Sequence, residues 1–296
     1  MWGWFGRRRV VASAEAKRRA EQVPVLEALD PIESAITFVG RDAETDGALM
    51  VRTPTLEGAI YSSRGRRYAR YDEDAAYLFA DGRGRLHAGV FDQAGGLGGE
   101  VRGEASRMTA SRLARCARAY CGEELSVDRV PESLASALSE AHESLVVRGQ
   151  KEVTTAVCAS IDLDGTIYLA SSGDSAALLF DSEGKTLNSS DPDAHTGPGD
   201  LGFLMYAVGI TPGGPDPRTA VWRLDPPDLL LLCTDGVLDA GLDLGAAARD
   251  LAAIESLEDG VNALIEEILS RMSGHRAKPD NLTLIAIRRP QPLDGA

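Results

Sequence analysis

The stretch GVFDQAGG, Gly89–Gly96, places one carboxylate, Asp92, between an apolar run and a glycine pair. By itself it is ambiguous, because Asp and Gly after a strand are ordinary turn residues. It gains meaning from other acids placed in the same way. Asp74 in YDEDAAYLF opens an apolar run, Asp235 in LLLLCTDGVLDA ends the most apolar run of the chain, and Asp280 in KPDNLTLIAI opens the last one. Acids gathered at strand ends repel one another unless a cation lies between them. Hard oxygen ligands of this kind suit Mg²⁺ or Mn²⁺, and two such ions clamp a phosphate and lower the pKa of a shared water. Spacing alone therefore suggests a dinuclear site for phosphate-ester hydrolysis, with ordinary turn acids as the plain alternative.

The chain has 296 residues, 44% of them hydrophobic and 26% charged, the balance of a globular protein with a large core. A formal charge of −14 argues against a general nucleic-acid binder, which needs basic surface. Cys116, Cys121, Cys158 and Cys233 form no CxxC pair and no zinc spacing. Two of them, Cys158 and Cys233, fall inside apolar runs as small hydrophobes, which predicts a reducing, cytoplasmic setting. No apolar stretch approaches the roughly 18 residues that span a bilayer, so no transmembrane segment is expected. The first 29 residues read as a basic, aromatic tail, with Arg7, Arg8, Arg9, Lys17, Arg18 and Arg19 set against Glu15. It lacks the apolar core of a signal peptide and reads as a surface tail or a partner- or membrane-docking one.

From residue 76 the pattern is of strands in hairpins. AYLFA and RLHAGVFD are joined by DGRG; TTAVCASID, TIYLASSGD and AALLFDS follow; TAVWRLD, LLLLCTD and LTLIAIRR come last. Hairpin connections predict antiparallel sheets. Helical period marks the segment with Leu134, Leu138, Ala141 and Leu145 on one face, and that with Val261, Leu264, Ile265, Ile268 and Met272, stopped by Gly274. A further helix is expected over 103–122, and an irregular loop over 188–203. Strand blocks alternating with helix blocks favour an α+β class, two sheets face to face with helix pairs outside.

The ordered set DEDAA, GVFDQAGG, TTAV, SSGDSAALL, LLLLCTDGVLDA and PDNLTLIAI resembles the metal-dependent protein phosphatase family, the type-2C serine/threonine phosphatases. The likeness runs from about residue 60 to 288. It implies a four-layer αββα sandwich with a domain over 30–289, a short tail over 290–296, and metals at one end of the two sheets. By this resemblance Asp92 bridges two Mn²⁺ or Mg²⁺ ions, Asp74, Asp235 and Asp280 complete the pair, and Gln93 contributes its backbone carbonyl. Asp174 and Asp239 match the acids of a third, weaker site, and Asn281 stands beside the last ligand. The implied reaction is hydrolysis of phosphoserine and phosphothreonine in proteins by a metal-bridging hydroxide. That makes the chain a signalling hydrolase, taken to be monomeric, whose partner is the phosphoprotein substrate.

The sequence departs from the family in five places. Ala94 stands where many members carry His, Gln93 replaces Gly, and TTAV lacks the preceding Gly. The substrate-phosphate arginine position holds Ala69, so Arg70 takes that catalytic role only through a one-residue bulge. Asp72 adds an acid to the first motif, as a site acid or a turn cap. These departures motivate the alternative, a pseudophosphatase-like binding or regulatory module. His87 and His142 read as packed or surface residues, while His195 and His275 lie where a loop can approach the cleft.

Overall fold

The central strands carry apolar side chains on both faces, and this dictates four layers. The structure, a computed structural model, describes residues 36–38, 45, 47–65, 72–93, 103–122, 129–147, 153–190, 206–211 and 214–290. In β4 (Ala75–Ala80) and β5 (Leu86–Phe91), Ala76, Leu78, Leu86, Ala88 and Val90 point into one core, while Tyr77, Phe79 and Phe91 point into another. The same alternation holds in β11 (Leu229–Cys233) and β12 (Leu282–Arg288). Leu230, Leu232, Ile285 and Ile287 face the first core; Leu229, Leu231, Leu284 and Ala286 face a third. Alternation at period two with both faces apolar buries a strand between two layers.

Two six-stranded sheets result. The first has the order β1 (Ile36–Phe38), β4, β5, β6 (Ala156–Ile161), β7 (Thr166–Ser172), β10 (Arg218–Arg223). The second runs β2 (Leu49–Arg52), β3 (Glu57–Ser63), β12, β11, β8 (Ala176–Phe180), β9 (Thr186–Ser189). Every pairing is antiparallel, as the hairpin signals predict. Helices α1 (Glu104–Gly122) and α2 (Val130–Val147) cover the first sheet, and α4 (Leu244–Ala253) and α5 (Leu257–Ser273) cover the second. A short α3 (Asp235–Leu238) follows β11. The described residues of Pro31–Ala296 make one compact unit.

The predicted helical faces are the ones that pack. Leu134, Leu138, Ala141 and Leu145 are buried on α2, as are Val261, Ile265, Ile268 and Met272 on α5. Ser256 caps α5 by accepting from the Asp259 amide, and Gly274 ends it. Arg288, almost wholly buried, pairs with Glu57 at 2.9 Å and donates to the carbonyls of Leu251 and Glu255, closing the C-terminal end of α4. The loop expected over 188–203 starts later, because Asn188 and Ser189 belong to β9; residues 191–205 lie outside the described residues. Strand β9 is exposed throughout and so carries no apolar alternation to announce it.

Cys158 and Cys233 are buried and free, and burial pushes the Cys233 thiol up to about 12. His87 is buried between Ser160 and Asp81, with ring nitrogens 2.9 and 3.3 Å from their oxygens. His142 accepts from the Gly209 amide at 3.0 Å, and His275 is exposed. His195 lies outside the described residues.

Candidate metal centre

Strand register brings the acids together. Ala75 pairs with Phe91, so Asp74, just before β4, and Asp92, just after β5, sit at one end of neighbouring strands. In the second sheet Cys233 pairs with Leu284, and the Thr234 amide extends the ladder to the Thr283 carbonyl at 3.1 Å. Asp235 and Asp280 follow at the ends of that pair. The two strand pairs meet at the same end of the sandwich, because the hydroxyls of Thr234 and Thr283 reach across to Asp74 Oδ2 at 2.9 and 2.8 Å.

Asp74 is 1% exposed, and its second oxygen, Oδ1, has no hydrogen-bond partner. Burial first, then the charge of Asp72, holds its carboxyl well above the usual range, against the two threonine hydroxyls. Asp92 has its backbone fastened to the start of β6. Its amide donates to Thr155 Oγ1 at 3.1 Å, and its carbonyl accepts from the Thr155 amide at 2.8 Å and Thr154 Oγ1 at 2.9 Å. Desolvation, then the charges of Asp74, Asp235, Asp174 and Asp280, push the Asp92 carboxyl well up. The four principal acids are thus electrostatic neighbours. Asp174, in the β7–β8 turn, is pushed up to about 6 by desolvation and Asp235; Asp239, exposed beyond α3, moves up for the same two reasons.

The surrounding residues fix these acids. Asp72 accepts from the Asp74 amide at 3.1 Å and from Ser62 Oγ at 2.9 Å, which makes it a turn cap whose charge also bears on Asp74. The Asn281 side chain accepts from the Glu73 amide and donates to the Arg64 carbonyl, both at 2.9 Å, clamping the approach to β4. Gly236 is required here: a Cβ on it would lie 1.9 Å from the Asn281 carbonyl oxygen. The Gln93 side chain accepts from the Ala105 amide in the first turn of α1, so its amide group serves the helix end. Arg70, Ala94 and the Gly95–Gly96 pair lie outside the described residues.

Lys278 joins the acids without a motif to mark it. Its Nζ lies 2.6 Å from Asp235 Oδ2, 2.8 Å from Asp280 Oδ2 and 3.7 Å from Asp239 Oδ2. Desolvation opposes its charge, but the hydrogen bonds to Asp235 and Asp280 outweigh it and hold the ammonium well above its ordinary pKa. Among the described residues, no three acidic, His or Cys side chains form a closed ligand set. The donor chemistry nevertheless fits a hard divalent ion. A buried carboxylate oxygen of Asp74 is orphaned, Asp92 is surrounded by like charge, and every candidate donor is oxygen.

Two antiparallel sheets between helix pairs, with aspartates gathered at one end, define the architecture of the metal-dependent protein phosphatases. A family model described as Stage II sporulation protein E (SpoIIE) matches residues 83–290, and the chain belongs to that family. The match contains Asp92, Asp235 and Asp280 and begins after Asp74. No protein of curated function matches in sequence. Among solved structures, a Streptococcus agalactiae serine/threonine phosphatase superposes with a TM-score of 0.62 at 18% identity, covering 79% of this chain and 99% of that one. The serine/threonine phosphatase Stp1 from Staphylococcus aureus does so at 0.65 and 21%, covering 82% and 99%. RsbX in complex with magnesium matches at 0.53 and 15%, covering 82% and 100%.

Proposed function

We propose that residues 30–289 form a protein serine/threonine phosphatase that works in the cytoplasm on phosphoproteins and depends on two Mn²⁺ or Mg²⁺ ions. The observation that carries this reading is the convergence of Asp74, Asp92, Asp235 and Asp280, each from the end of a central strand, with a buried oxygen of Asp74 unpartnered. Asp92, Asp74, Asp235, Asp280 and the Gln93 carbonyl would hold the pair, and Asp174 with Asp239 would hold a weaker third ion. When bound, a pair of divalent ions supplies an activated water and neutralises charge on the phosphoryl oxygens.

The chain's own residues orient the donors. Thr234 and Thr283 hold Asp74 Oδ2, which leaves the buried Oδ1 available to an ion. Thr154 and Thr155 fix the Asp92 backbone, and Asn281 keeps the Asp72–Asp74 turn against the β12 entrance. Free buried thiols at Cys158 and Cys233 agree with a reducing compartment. No helix among the described residues is long and apolar enough to cross a membrane.

The test is hydrolysis of p-nitrophenyl phosphate and a phosphothreonine peptide at millimolar Mn²⁺. Activity is expected in the natural chain and none in Asp92→Ala. A regulatory module on the same fold is the second reading, favoured by the ammonium of Lys278 resting on Asp235 and Asp280. Clean, folded protein that binds Mn²⁺ but turns over neither substrate would select it.

A further inference from the structure

Lys278 stands in the connection between α5 and β12, on a stretch whose neighbours Gly274, His275 and Arg276 are exposed. Its ammonium meets one oxygen of Asp235, at the head of α3, and one of Asp280, before β12, with Asp239 a little farther off. An isolated surface ion pair contributes little. Here, however, one cation lies within hydrogen-bond distance of two carboxylates from separate elements, and both belong to the proposed ligand set. A point charge on a flexible four-carbon stem is well suited to arrive and leave. Half of the Lys278 side chain remains exposed, and Asp239, also half exposed, lies 3.7 Å from its ammonium.

We propose that Lys278 is a resident counter-cation of the acid cluster. Its ammonium holds Asp235 and Asp280 together in the metal-free protein and leaves when a divalent ion takes those oxygens, so that loading of this half of the site is an exchange of cations. The proposal rests on the reading of these acids as metal ligands. Its consequence is a weakened apparent affinity at that half, because the incoming ion must displace two charge-assisted hydrogen bonds. In return, Asp235 and Asp280 are kept from driving each other apart while no metal is bound.

The experiment is calorimetric titration of Mn²⁺ into the full chain and into its K278Q and K278R variants at one ionic strength, with melting curves in chelator and in saturating Mn²⁺. K278Q is expected to bind roughly 10-fold more tightly than the natural chain, within the usual range of coupling between two bound species. It should also melt lower in chelator and gain more on adding Mn²⁺, whereas K278R, which keeps a cation, should follow the natural chain. Equal affinity in K278Q and the natural chain, or weaker binding in K278Q, overturns the exchange while leaving the metal site standing. Folded proteins that bind no Mn²⁺ in either form overturn the metal reading, and the exchange with it.

Discussion

Replacing Asp74 by Asn separates what the fold needs from what the metals need. The two hydroxyl hydrogen bonds at 2.9 and 2.8 Å go to one carboxylate oxygen, and the Asn carbonyl oxygen can accept both. The other oxygen is buried without a partner, a condition that costs about 1–3 kcal/mol. In the variant an amide takes its place, a donor facing the neighbouring charges of Asp72 and Asp92 rather than a further negative charge. Asp74→Asn should therefore stabilise the metal-free protein by about 1–3 kcal/mol at pH 7.5, or roughly 3–10 °C in melting temperature for a domain of this size. The sign with pH follows from the raised carboxyl. A group whose folded-state pKa lies above its unfolded value favours the fold at low pH and loses that contribution as pH rises through the folded value. The variant's advantage should thus shrink on acidification. In saturating Mn²⁺ the order reverses, because the natural chain gains ligand-binding free energy and the variant gains little. The assay is a melting curve in chelator and in Mn²⁺ across pH. A variant less stable than the natural chain in both conditions, by the same amount, would refute the reasoning and make Asp74 a purely structural acid.

Three other substitutions probe the supports of the site. Asn281→Ala removes two side-chain hydrogen bonds and should cost about 2 kcal/mol in denaturant titration. The same change should weaken Mn²⁺ binding by roughly 10- to 100-fold, the usual effect of losing a residue that orients ligands. Gly236→Ala drives a methyl into the Asn281 carbonyl oxygen and should cost about 3 kcal/mol by chemical denaturation, with loss of activity. Arg288→Ala removes the buried partner of Glu57, which keeps its 2.9 Å pair with the more exposed Arg52, and frees the carbonyls at the C-terminal end of α4; about 2–3 kcal/mol of stability should go, with Mn²⁺ affinity of the folded protein unchanged by calorimetry.

The sequence made strands such as β4, β8 and β11 legible because each is an unbroken apolar run, and α2 and α5 legible because their stripes repeat at helical spacing; β3, with Glu57 and Gly58 at its start and Ser62 and Ser63 at its end, carries no such signal. Helix α4 escaped notice. Its sequence is rich in Ala, and only Ala248 and Leu251 are buried, too narrow a stripe to register. The acids at the strand ends were readable one by one, since each breaks an apolar run, and register then does the gathering. Asp72 was open between site acid and turn cap, and its hydrogen bond to the Asp74 amide makes it a cap. Thr234 and Thr283 carried a signal in hindsight: both stand beside the motif acids, in CTD and DNLT. Lys278 had none. A lysine two residues before an aspartate reads as a solvated charge, and what gives it a role is Asp235, far away in sequence and near in space only after β11 and β12 have paired.

The hydroxyls of Thr234 and Thr283 belong to one sheet and the carboxylate they grip belongs to the other. Between the sheets lies greasy contact, which tolerates sliding; at this end they are riveted, while at the other Arg289, just after β12, reaches the carbonyls of Leu163 and Asp164. A cation pair held by Asp74 and Asp92 from one side and Asp235 and Asp280 from the other would tighten that rivet. Any force or mutation that shears one sheet over its partner should then be felt first as slackened metal binding, long before the sandwich itself comes apart.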